Sequence, residues 1–455
     1  MKYSIINKCL LVCLFTAASF VAHAQKMEAY EMSIEGVKVI VQPVNNQILE
    51  VQAVFKGGVQ NYPADKAGIE ALALKALTEC GTKNDDKNSF KNKLDKVNAQ
   101  MYSAARMDYS FLKLNCIKED FEIVWPLFVD ALITPRFDEK EFKRIKDETL
   151  NTLREQNANP DNSISKLARE TAFAGKKYAI DPAGSDAAVS KLTNADIQNY
   201  YKSFATRSRM FMVVVGNIDS NELKPKLAQL LKAIPQGKPF VSVAEVYTPK
   251  LSSFKAQKKD LATNYIEGVA SGPAPGSKEF YAFQLAMRIF YNRHFLEIRT
   301  NNGLSYAPYS YFSGGLTPFS GIGVSTTDPN KYIQVLNKLI AKTKEGFTEE
   351  EVKDIKTRYV TSVYTSQESN SDQANALAAN QVTHNNWRKA LTLNEDLKNI
   401  TAKDLTAAFN KHISKFTWVY QGNPALVNAQ LFTGSTPQKI QPLKLQKKEG
   451  SKLRK

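Results

Sequence analysis

Histidine is scarce in this chain. There are 4 among 455 residues, and none falls between His23 and His294. A zinc hydrolase draws its imidazoles from one neighbourhood of the fold, so the whole stretch between those two positions is closed to histidine-based metal chemistry. Cysteine is as sparse, at 4 residues, with Cys9 and Cys13 at the extreme N-terminus. Cys80 and Cys116 are too few for a disulfide framework in so long a chain, and the sequence leaves open whether they pair. No Cys/His cluster has zinc-ligand spacing. A Gly-x-Ser-x-Gly elbow, a Walker loop and a dinucleotide fingerprint are all missing, which excludes the motif-bearing hydrolases, nucleotidases and Rossmann enzymes. Gly321-x-Gly323 lacks the third glycine, and Ser252-x-x-Lys255 is an isolated match in a linker. Past the N-terminus, no apolar run is long enough to span a bilayer.

What is present is ordinary for a globular protein: 43% hydrophobic and 23% charged residues. This length makes two or three domains the expectation. Residues 1–24 read as a signal peptide. Lys2 and Lys8 precede the apolar stretch Cys9 to Val21, and Ala22-His23-Ala24 supplies a small-x-small cleavage site before Gln25. The stretch is too short for a membrane anchor. The mature chain is therefore expected to be exported, to the periplasm of a Gram-negative cell, with His294, His384 and His412 as its histidines. The formal charge of +16 falls partly in a tail, where Lys439 to Lys455 hold seven basic residues against Glu449. Such a tail offers contact with an anionic surface. No aromatic residue interleaves with it, so no nucleic-acid partner is expected.

The chain repeats itself. Phe137-Asp-Glu-Lys-Glu-Phe-Lys-Arg-Ile-Lys146 and Phe347-Thr-Glu-Glu-Glu-Val-Lys-Asp-Ile-Lys356 each open a long helical pattern. Asp138 and Thr348 are suited as N-caps, with acids in the first turn. Leu192-Thr-Asn-Ala-Asp196 matches Ile400-Thr-Ala-Lys-Asp404, each starting a short helix. Each half closes with a β-branched strand ending in Gly-Asn, at Gly216-Asn217 and Gly422-Asn423. Three matches in one order indicate two copies of one fold. Within a copy, Val37, Val39 and Val41 alternate as a half-buried strand does. Ile48 to Phe55 and Tyr109 to Cys116 read as further strands. Ile69, Leu72, Ala73, Ala76 and Leu77 follow helical spacing, and Ile123 to Leu132 is another helix. Strands and helices mix without strict alternation. The expected class is therefore α+β, two homologous α/β sandwich domains of about 200 residues each with helices on one face of a sheet. The expected division is a signal peptide at 1–24, an N-terminal domain at 25–235, a linker at 236–252, a C-terminal domain at 253–430 and a basic tail at 431–455.

These segments resemble the pitrilysin/insulinase-type zinc peptidases, the family of the mitochondrial processing peptidase. Phe55-Lys-Gly57-Gly58, Ala67-Gly68-Ile69, a short helix and Gly81-Thr82 look like the family's opening; Thr134-Pro135-Arg-Phe137 and Val215-Gly216-Asn217 fit the same frame. Arg299-x-x-x-Gly303-Leu304-Ser-Tyr306 looks like its C-terminal signature. The resemblance implies His-x-x-Glu-His on the helix before Gly81-Thr82, two imidazoles binding zinc and the Glu serving as general base. Here the corresponding positions hold Ala71, Leu72, Leu74 and Lys75. The third ligand, a Glu on the next long helix, is expected near Asn151-Thr152, where neither residue is a carboxylate. No zinc or other cofactor is therefore expected in this chain.

In the family's two-chain members, one chain carries the zinc motif and the other supplies the Arg and Tyr. The resemblance thus implies a substrate-binding role for Arg299 and Tyr306 in a partner's active site. The Arg would hold a substrate carbonyl or carboxylate and the Tyr would hydrogen-bond the oxyanion. Read as residues alone, Arg299 is equally a helix C-terminal cation before Gly303, and Tyr306 a core aromatic at a strand start. Two functions remain open. One is the non-catalytic subunit of a periplasmic heterodimeric zinc peptidase, inactive alone and acting on peptides, with the zinc in its partner. The other is a stand-alone peptide-binding or scaffold protein of the same fold.

Overall fold

The computed structural model describes residues 28–434; the expected signal peptide and basic tail lie outside them. The strands form two sheets. The first comprises β1 (Tyr30–Ile34), β2 (Val37–Gln42), β3 (Ile48–Lys56), β4 (Gln100–Ala105), β5 (Tyr109–Ile117) and β6 (Met210–Val215), in the order β1-β2-β6-β3-β5-β4. The second comprises β7 (Ser253–Lys258), β8 (Asn264–Ser271), β9 (Tyr309–Ser313), β10 (Phe319–Thr326) and β11 (Thr417–Gly422), in the order β7-β11-β8-β10-β9. Without β1, the two orders are the same pattern. The last strand of each half enters the middle, parallel to the first (β2 with β6, β7 with β11) and antiparallel to the second. The segment 234–252 between the halves carries neither helix nor strand.

The helices repeat as well. In the first half α1 (Ile69–Glu79), α2 (Glu139–Ala158), α3 (Pro160–Ala172) and α4 (Asn194–Phe204) are answered in the second by α5 (Phe280–Phe295), α6 (Glu349–Thr365), α7 (Asn370–His384) and α8 (Ala402–His412). Asp138 caps α2 by accepting from the amides of Lys140 and Glu141, and Thr348 caps α6 in a capping box with Glu351. Thr193 with Asp196 and Thr401 with Asp404 build the same box at α4 and α8. Lys146 Nζ donates to the carbonyls of Ser190 (2.8 Å) and Leu192 (2.7 Å). Lys356 Nζ, at the matching place, donates to those of Lys398 (3.3 Å) and Ile400 (2.6 Å). The duplication therefore extends to individual side-chain bonds.

Helices of its own half lie on one face of each sheet, and the other face is not left wet. Every residue of β6 and of β11 is buried, so neither strand alternates between a wet and a dry face, and β6 is apolar throughout. The second face of each sheet is covered by a helix from the opposite half. Ala374, Leu377 and Ala378 of α7 join Ile40, Val54, Phe211 and Val213 of the first sheet in one cluster. Ile164, Leu167 and Ala168 of α3 pack with Val269 and Val419 of the second. Polar bonds lock both crossings. Ser165 Oγ donates to Glu267 Oε2 (2.8 Å), and Gln52 Nε2 donates to Asn375 Oδ1 (3.1 Å). Asp108 adds a further tie, accepting from the hydroxyl of Tyr178 and from the Leu316 amide at 3.0 Å.

Candidate functional site

Helix α1 begins where the chain turns at Gly68, whose φ of +90° admits glycine and disfavours other residues. A Cβ there would lie 2.9 Å from Val189 Cγ2 and 3.0 Å from the Ala183 carbonyl. Glu70 follows, fully buried, accepting from the hydroxyl of Tyr200 and from Asn61 Nδ2 at 2.9 Å. Burial pushes its carboxyl up to about 7, against the pull of those hydrogen bonds. Leu72 and Leu74 point into the core, while Ala71 and Lys75 lie one turn apart on the partly exposed face.

That face offers zinc nothing. Lys75 Nζ pairs with Glu148 Oε2 of α2 at 3.1 Å. Arg144 pairs with Glu148 (2.6 Å), Glu141 (2.6 Å) and Glu79 (2.9 Å), and Lys91 Nζ reaches Glu79 at 2.5 Å. Burial works to raise the Glu148 carboxyl, but the bonds from Arg144 and Lys75 outweigh it and hold the group below its ordinary range. A ladder of ion pairs occupies the space where the resemblance expects metal. Asn151 and Thr152 lie on α2, and neither is a carboxylate. The facing carboxylate is Glu148, one turn earlier, which sequence inspection did not single out. Its signal was the Lys at position 75, a cation in need of a counter-ion. Among the described residues no group of three or more His, Cys, Asp or Glu side chains is gathered as a metal would require. Residues and metal do not fit.

The histidines stand apart. His294 is buried beside the Tyr332 hydroxyl (3.2 Å), and burial depresses its imidazole to about 3. His412 lies between Ser271 Oγ (3.0 Å) and Glu279 Oε2 (3.2 Å). His384 meets the Phe280 ring edge-on. Cys80 and Cys116 are buried free thiols, each pushed up to about 12 chiefly by burial.

In the second half, α5 does not stop at Phe295. It widens into a π turn, Leu296–Asn301. The turn is tied off by the Leu304 amide on the Ile298 carbonyl (2.9 Å) and by Asn302 Nδ2 on Glu297 (2.9 Å to the carbonyl, 3.0 Å to the carboxylate). π turns place side chains where a regular helix does not. Here the turn sets Arg299 between two rings, its Cζ 3.9 Å from the centroid of Tyr306 and 5.0 Å from that of Phe295. Tyr306 is 78% exposed, three residues ahead of β9, which excludes the core-aromatic reading. Neither the Arg299 guanidinium nor the Tyr306 hydroxyl has a hydrogen-bond or ion-pair partner among the described residues. The structure therefore brings the two signature residues together and presents their polar ends outward. Stacking orders the guanidinium without consuming its donors.

Comparison with known proteins bears on the family and the fold. A family model described as Insulinase (Peptidase family M16) matches residues 39–184, and one described as Peptidase M16 inactive domain matches residues 191–359. The chain is 21% identical over 340 residues to the uncharacterized zinc protease YmxG of Bacillus subtilis, covering 71% of this chain and 80% of that one. It is 22% identical over 317 residues to the non-peptidase homolog YmxG of Helicobacter pylori, covering 67% and 72%. The crystal structure of a peptidase M16 inactive domain from Pseudomonas fluorescens superposes with a TM-score of 0.78 at 18% identity, over 87% of this chain and 98% of that one.

Proposed function

The chain belongs to the insulinase (M16) peptidase family as an inactive homologue, and on that premise we propose that it is the zinc-less subunit of a two-chain periplasmic peptidase. Its partner is a family member that carries His-x-x-Glu-His and the zinc. One observation carries the reading: Arg299 and Tyr306 are held together, stacked and outward-facing, with no work to do inside their own chain. In the partner's cleft the guanidinium would grip a substrate carbonyl or carboxylate by its planar fork, and the phenol would donate to the oxyanion. A donor aimed at developing charge is worth about 10²–10³ in kcat.

Reconstitution tests this. The purified chain is mixed with a co-purifying His-x-x-Glu-His chain and assayed on a quenched peptide library. We expect activity from the mixture and none from this chain alone. Arg299→Ala is expected to lower kcat/KM by about a hundredfold, and Tyr306→Phe by about tenfold or more, without loss of complex formation. Peptide binding without activity in any mixture would replace this reading with a stand-alone peptide-binding protein. A chain that neither pairs nor binds peptide would defeat both.

A further inference from the structure

The space between α5 and α6, the second-half counterparts of α1 and α2, is crossed by the ion pair of Arg293 Nη2 with Glu351 Oε1 (2.6 Å) but is not filled by a ladder of them. It holds a cavity of about 480 Å³ whose lining contains no carboxylate. The partly exposed positions Ala71, Lys75 and Glu79 of α1 recur on α5 as Gln284, Arg288 and Asn292. Glu148 stands two residues after Lys146, and Arg358 stands two after Lys356. Where the first half sets a Lys against a Glu, the second therefore sets two arginines on one cavity. Arg288 lies over the Tyr359 ring, Cζ 4.4 Å from its centroid. Its Nε is buried and has no hydrogen-bond partner among the described residues. Arg358 has Asp354 at 3.9 Å, too long for a hydrogen bond, and its side chain is 70% exposed. A buried guanidinium nitrogen without a partner costs free energy, as do two cations on one wall. A bound anion relieves both. The rest of the lining mixes uncharged polar side chains (Gln284, Asn292, Ser310 and Ser362) with aromatic and apolar ones, which suits a carboxylate attached to an organic chain better than a bare inorganic ion.

A chain of ring contacts links the cavity wall to the signature residues. Tyr291 lines it, and its ring lies 6.3 Å from that of Phe295, on which Arg299 rests. Arg288, Tyr291, Phe295 and Arg299 thus follow one face of α5 and its π turn. From Arg288 to Arg299 the helix rises roughly 16 Å, the reach of about five residues of extended peptide.

We propose that the cavity at Arg288 and Arg358 anchors a carboxylate of an extended peptide about five residues from the position gripped by Arg299 and Tyr306. This rests on the reading that the chain handles peptides. The carboxylate is the peptide's C-terminus or an acidic side chain, and the test separates them. Fluorescence anisotropy would compare three labelled peptides on the full chain: one with a free C-terminus, its C-terminal amide, and an amide ending in glutamate. We expect one or both carboxylate-bearing peptides to bind about tenfold tighter than the plain amide. The tighter of the two identifies the source. Arg288→Gln and the exposed Arg358→Gln should each abolish most of that preference, with circular dichroism unchanged. Arg299→Ala should weaken all three peptides alike and leave the ratio intact. Equal binding of the three peptides, or a preference that survives both glutamine variants, overturns the anchoring site and leaves the peptide-handling reading standing. If no peptide binds, both fall.

Discussion

The two halves fold alike around the same two-helix cleft and fill it in opposite ways. Between α1 and α2, Lys75, Glu148, Arg144 and Glu79 form a closed ladder of opposite charges. Between α5 and α6, Arg288 and Arg358 face an open cavity with no acid in its wall. The backbone was kept in both copies while the side chains parted. The first cleft has been made self-sufficient, and the second has been left in want of an anion. A scaffold can thus lose one chemistry without losing the concave surface that chemistry used.

The comparison can be broken or sharpened by measurement. The largest effect is expected at the pair that fills the middle of each sheet. Trp418 sits opposite Gly268, where a Cβ would lie 2.4 Å from the indole; Met212 sits opposite Ala53 at the matching place. Trp418→Ala should cost about 3–5 kcal/mol in urea unfolding. Because the crossed helices join the halves, fluorescence of Trp125, in the first half, should report the same shifted midpoint when Trp387 is also replaced by Phe. A first-half transition that stays in place would show that the halves unfold separately. A smaller effect attends Glu70, which the second half does not repeat: by the recurring exposed positions its counterpart is Phe283. A carboxyl raised from 4.5 to about 7 holds its proton more tightly in the folded state than in the unfolded one. Its contribution is therefore full below pH 4.5 and is lost as pH rises towards 7, roughly 3 kcal/mol in all. Glu70→Gln should flatten this decline in melting curves taken across the range, and an unchanged slope would remove Glu70 from the account. Smallest is the ladder itself. Lys75 and Glu148 are 37% and 47% exposed, so Lys75→Met should cost less than about 1 kcal/mol. A larger loss would mean that the ladder does more than occupy the cleft.

The fold was legible where the chain repeats and illegible where it crosses over. The strings ending in Lys146 and Lys356, and the Thr-x-x-Asp starts at Thr193 and Thr401, announced two copies because each repeats a local bond. Nothing local says that α3 covers the second sheet and α7 the first. An amphipathic helix specifies that it has an apolar face, not which sheet receives it. The missing histidines could be read directly, since an absent residue type needs no geometry. The Lys75–Glu148 pair could not, because it joins positions distant in sequence. Tyr306 was readable two ways, as a signature residue or as a core aromatic at a strand start, and only its exposure and the start of β9 at Tyr309 remove the second. The cavity arginines drew no notice because their meaning lies in what fails to face them.

The crossed helices also bear on how such a chain tolerates a cut. The segment 234–252 joins the halves outside any regular element and exposes Val241, Val243 and Leu251, the kind of site where a protease nicks. A nick there would separate the halves covalently but not physically, because each fragment would still hold the helix that roofs the other's sheet. The two pieces would travel together through gel filtration, and one half produced without the other would lack a wall of its own interior.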